Sequence, residues 1–121
     1  MGLDIGISEK ETVIYPQRDE PIVTLEDNGY FWFLYPFFEE LAAETGKWID
    51  LYEAPVFVGQ ELKALKGTIS MARGLIRKKP NTWKVENFSV EKKEFLILLR
   101  KISQIIDLAI KTKRCVTFFG D

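Results

Sequence analysis

At 121 residues, 46% hydrophobic and 29% charged, the chain has the length and composition of one globular domain able to bury a core. Its net charge of −1 conceals a division: residues 1–61 hold 13 acids and 3 bases (net −10), and residues 62–121 hold 5 acids and 14 bases (net +9). With no histidine and one cysteine, Cys115, the chain excludes within itself Ser-His-Asp and Cys-His nucleophile systems, histidine or thiolate zinc sites, and an internal disulfide.

Leu3, Ile5 and Ile7 alternate with Asp4 and Gly6, the period of a half-buried strand. Thr12-Val13-Ile14-Tyr15 follows a polar stretch and reads as the second strand of a hairpin. Pro16 and Pro21 bracket a charged loop, Ile22–Leu25 is a short extended segment, and Asp27-Asn28-Gly29 is a turn or helix N-cap. The first helix spans Tyr30–Glu44. Pro36 belongs in its first turn or at a kink, and Gly46 is its stop. Trp48–Tyr52 alternates again, and Val56-Phe57-Val58 is a second short extended piece.

Gly59 opens the second helix, whose apolar face is Leu62, Leu65, Ile69, Ala72 and Ile76, widened by Leu75. Gly67 within it implies close helix packing, because an interior glycine otherwise costs about 1 kcal/mol. Trp83–Phe88 reads as one strand, and Ser89 as the cap of a third helix over about Val90–Lys113. That helix is apolar around most of its circumference, which places it at the centre of the domain. Cys115–Phe119 is β-prone. The expected fold is therefore a single α+β domain over residues 1–121, with a small, mainly antiparallel sheet packed against three helices.

The longest apolar stretch, Tyr30–Phe38, is nine residues, far below the roughly 20 needed to span a bilayer. The first residues lack a basic segment followed by a long apolar one, and position 6 lacks the Ser or Thr of a myristoylation signal. A cytoplasmic location without membrane contact is expected, and the lone cysteine agrees with a reducing compartment. No motif calls for a metal or cofactor.

Seven of the 16 aromatics fall within Tyr30–Phe38. Most of these rings belong in a core, but Tyr30, Trp32 and Tyr35 carry polar tips and suit partial exposure as anchors for a protein partner. Tyr52 is a further anchor. The acids Glu39, Glu40, Glu44, Asp50, Glu53 and Glu61 come from one contiguous third of the chain. Their plain explanation is a solvated surface answered by the protein's own bases. As a binding surface, Asp50, Glu53 and Glu61 would face a basic protein. Arg77-Lys78-Lys79 with Trp83 and Lys84 has the mixture needed for single-stranded nucleic acid, although cations at a helix C-terminus are expected from the helix dipole alone.

The segments MGLDIGI, FFEELAAETG, IDLYEAPVFVGQELKALKG and CVTFFGD, about a third of the chain, resemble small bacterial immunity proteins of polymorphic or contact-dependent toxin systems. That resemblance implies a small α+β domain without catalytic residues that binds a toxin domain and blocks its active site. The basic second half departs from the simplest, uniformly acidic pattern. Two other functions remain open: a nucleic-acid-binding accessory protein using the basic half, and a carboxylate-dependent enzyme, which requires two acids converging in a pocket.

Overall fold

One face of a strand must be dry for alternation to persist, and Leu3, Ile5 and Ile7 are fully buried. In the computed structural model, which describes residues 2–120, they lie on β1 (Gly2–Ser8). The chain continues through β2 (Val23–Glu26), α1 (Gly29–Thr45), β3 (Val56–Phe57), α2 (Gln60–Arg77), β4 (Thr82–Val85), β5 (Phe88–Glu91), α3 (Lys92–Thr112) and β6 (Cys115–Gly120). The main sheet runs β2-β1-β6-β3 with every pairing antiparallel, and β4 and β5 form a separate two-stranded ribbon. The three helices pack on the sheet face that carries Leu3, Ile5, Ile7, Val116 and Phe118. This is the α+β architecture expected from the sequence.

Several local elements differ from expectation. The partner of β1 is β2, not Thr12–Tyr15. Pro16 and Pro21 have no N–H to donate to a ladder, and the first half of that edge belongs to β2. Residues 12–17 instead cross the outer face of the sheet, away from the helices. The Thr117 hydroxyl donates to the Ile14 carbonyl (2.6 Å), the Gln17 amide donates to the Ile7 carbonyl (2.7 Å), and the Tyr15 ring meets Phe119. Gly6 makes this crossing possible, because a Cβ there would lie 2.6 Å from the Pro16 Cβ.

Asn28 caps α1, its side chain accepting from the Tyr30 amide, and Gly46 ends the helix in the left-handed region with its amide on the Ala42 carbonyl. Pro36 lies in the helix interior rather than its first turn, so the Trp32 carbonyl receives no backbone N–H from it. Gly59 precedes α2 with φ 54° and ψ −123°, a conformation that favours glycine. All five expected core residues of α2 are buried, whereas Leu75 is exposed. Gly67 is not a packing glycine: a Cβ there, or on Gly74, would meet nothing within 4 Å. Both glycines lie on the solvent side of the helix.

Trp83–Phe88 is a hairpin, not one strand. Glu86 and Asn87 turn it with φ of 51° and 71°, the positive pair of a tight two-residue connection. Ser89 therefore lies in β5, and α3 starts at Lys92, where the Tyr30 hydroxyl accepts the Glu91 amide. The apolar face of α3 is narrower than its sequence suggests, since Ile97 and Ile110 are exposed and Leu96, Leu98 and Leu108 only partly buried. It nevertheless packs on β1, β2 and β6 of the main sheet and against α2 and β5. Among the described residues, no helix is long and apolar enough to cross a membrane.

Candidate protein-docking surface

Trp48–Tyr52 keeps its alternation without joining the sheet. Ile49 and Leu51 point inward and are buried, which turns Trp48 and Tyr52 outward at 45% and 81% exposure. The Asp50 carboxylate accepts the amides of Tyr52 and Glu53, both at 2.8 Å, and this Asx turn holds Tyr52 and Glu53 at the apex. Two contacts seat the loop. The Phe118 amide donates to the Pro55 carbonyl (3.1 Å), and Gly120 passes so close to the Leu51 carbonyl that any side chain there would collide with it. Rigid backing matters because a preordered loop loses little entropy on binding.

Lys47 organises the adjoining cleft. Its ammonium donates to the Val56 carbonyl (2.6 Å), to Glu61 Oε1 (2.7 Å) and to Glu11 Oε1 (3.4 Å). Glu61 Oε1 also accepts the Val58 amide at 3.0 Å, so this carboxylate serves the entry to α2. The cleft has a volume of about 580 Å³ and is lined by Glu11, Ile14, Lys47, Trp48, Asp50 and Glu53, among others. Val13, Ile14 and Tyr15 on the crossing loop are also exposed. Exposed rings beside carboxylates can take up apolar area and attract a basic partner.

Of the residues singled out in the sequence, Asp50, Tyr52 and Glu53 come together in this loop. Glu61 lies behind Lys47 as part of the support. Tyr30, Trp32 and Tyr35 are on α1, and none of them lines the cleft. Tyr30 packs edge-on against Phe95, Trp32 donates its indole N–H to Asp27 (3.0 Å), and Tyr35 leans on Phe31. Trp48, Lys47 and the crossing loop were not anticipated as parts of the site. The period-two pattern that puts Tyr52 outward also puts Trp48 on the same side, and that was the available signal.

The charge division largely survives folding. Among the described residues, Arg114 is the only base of the second half that pairs with acids of the first, at 2.8 Å to Glu20 and 3.3 Å to Glu9. The hydrogen bond that Arg114 donates to Glu20 raises the guanidinium's pKa further. Lys47 pairs within the first half, and Lys66 with Asp107 within the second. Cys115 is buried on β6, and burial pushes its thiol pKa up, away from reactivity. Trp83 is no free stacking platform, because it stacks on Phe95 and meets Phe33 edge-on, with the Lys79 ammonium 5.9 Å from its ring.

No family model matches the chain, nor does any curated protein or solved structure compared with it, so the functional reading rests on this surface and its chemistry.

Proposed function

We propose that the chain is a non-enzymatic protein-binding domain, most concretely an immunity protein that neutralises a cognate toxin in the cytoplasm by covering its active site. The observation that carries this reading is the outward pair Trp48 and Tyr52 beside Asp50 and Glu53, on a loop anchored to β6. Large rigid rings supply most of the binding energy at such interfaces, and neighbouring carboxylates steer a basic partner into register. Occlusion needs no catalytic group. The partner is a toxin domain with a basic surface around its active site.

The test is growth protection. Cells expressing the toxin domain encoded beside this gene should survive when the chain is co-expressed. Protection should fail for the double variant Trp48→Ala, Tyr52→Ala, whose circular dichroism and melting temperature should match the parent's. Undiminished protection by that variant would move the site elsewhere, and no protection by the parent would remove the immunity reading. With purified partners, the association rate should fall steeply as salt rises. A salt-independent rate would remove the role given to Asp50 and Glu53.

A further inference from the structure

The loop surface leaves the basic half of the molecule unexplained. Residues 63–113 carry 13 bases and 4 acids, a net charge of +9. Most of these bases lie on α2 and α3, which pack antiparallel: Lys66 reaches Asp107, and Arg73 reaches Ser103 at 3.0 Å. Lys93, Arg100 and Lys111 recur at intervals of 7 and 11 residues, close to two and three helical turns, and share one stripe of α3. Lys66, Arg73 and Arg77 recur at 7 and 4 and share the flank of α2 that meets α3. Two rows of cations therefore run side by side along the groove between these helices. Lys93, Arg100, Lys111 and Arg77 are exposed and form no ion pair among the described residues.

We infer that this ridge binds the phosphate backbone of a nucleic-acid duplex without reading its sequence. From Lys93 to Lys111 the α3 row extends roughly 27 Å at 1.5 Å per residue, the length of about eight phosphates along one strand. Such a row releases counterions from several phosphates at once, the main source of sequence-independent affinity. A duplex fits better than a single strand because α2 contains no aromatic residue and the one aromatic of α3, Phe95, is fully buried. Single-strand binding without stacking rings lacks its usual second contribution. Gly67 and Gly74, on the solvent side of α2, carry no side chain, which lets the backbone at those two positions approach a bulky ligand closely. The inference is independent of the docking loop, whose residues belong to neither of these helices.

Fluorescence anisotropy on the whole chain tests it, with a labelled duplex and a single strand of equal length. The duplex should bind more tightly, and log affinity should fall against log salt with a slope of about −5 if six cations each meet a phosphate. Lys93→Gln and Arg100→Gln should each reduce that slope by about 1 and weaken all sequences alike. Lys10→Gln, on the loop after β1 and outside both rows, should leave the slope unchanged. No binding at low salt, preference for the single strand, equal loss from Lys10→Gln, or binding to phosphatidylserine vesicles but not to the duplex would each overturn it.

Discussion

The loops around the docking surface and the ridge of α2 and α3 handle charge in opposite ways. Around the loops, several acids are taken up internally: Glu11 and Glu61 by Lys47, Glu9 and Glu20 by Arg114, and Asp50 by two backbone amides. On the helical side, the bases of α2 and α3 mostly project unpaired. A count of charges along the chain makes the halves look equivalent, but Glu9, Glu11, Glu20, Asp50 and Glu61 are tied down around the loops, whereas most bases of the second half form no ion pair among the described residues. On the proposed reading, the docking loop meets its partner chiefly through rings and the helical ridge through charge.

The largest effect should separate the core from the docking surface. Phe118→Ala should destabilise the fold by about 4 kcal/mol, because a fully buried ring is replaced by a cavity. Tyr52→Ala should change stability by less than about 0.5 kcal/mol, since its ring is mostly solvated. Urea unfolding of both variants measures the contrast, and comparable losses would mean that Tyr52 belongs to the core. Next comes the contrast between two ion pairs. Lys47 and Glu61 are 24% and 26% exposed at their side chains, whereas Lys66 and Asp107 are 48% and 53% exposed. Lys47→Ala leaves the Val56 carbonyl and two carboxylates without their cation and should cost about 2 kcal/mol. Lys66→Ala should cost no more than about 0.5 kcal/mol.

Smaller effects sharpen the picture of the helical side. Gly67→Ala and Gly74→Ala should each stabilise by about 0.5–1 kcal/mol, because an alanine there meets no neighbour and the helix gains propensity. A lowered melting temperature would place those glycines against something. Last, Cys115 should react with a thiol reagent in the native state far more slowly than in urea. Because burial raises its folded pKa, its contribution to stability is full below the thiol's ordinary value near 9.0 and is lost as pH rises through the folded one. Equal rates in both states would contradict its burial.

The fold class and the core were legible in the sequence wherever periodicity was long or strict, as at Leu3–Ile7 and Leu62–Ile76. Short elements were not. Thr12–Tyr15 has strand propensity, but pairing depends on which edges remain free, which is a property of the whole sheet. The β4–β5 hairpin was hidden because Glu86-Asn87 is an uncommon version of the Asn-Gly turn signal. The site was half legible. Asp50, Tyr52 and Glu53 stand in one exposed loop, but density of aromatics drew attention to Tyr30, Trp32 and Tyr35 on α1. Seven rings within about two and a half helical turns are mostly needed for packing, as Phe31 and Phe38 show, whereas a single Trp beside a buried Ile49 is left to face outward.

The separation of charge between the docking loop and the helical ridge can be measured without any partner. Amide relaxation in the presence of small paramagnetic cosolutes, one anionic and one cationic, reports the local potential residue by residue. The account predicts that the anionic probe acts more strongly than the cationic one along Lys66–Arg77 and Lys93–Lys111, and less strongly around Asp50–Glu53. Equal effects of the two probes on both sides would contradict it.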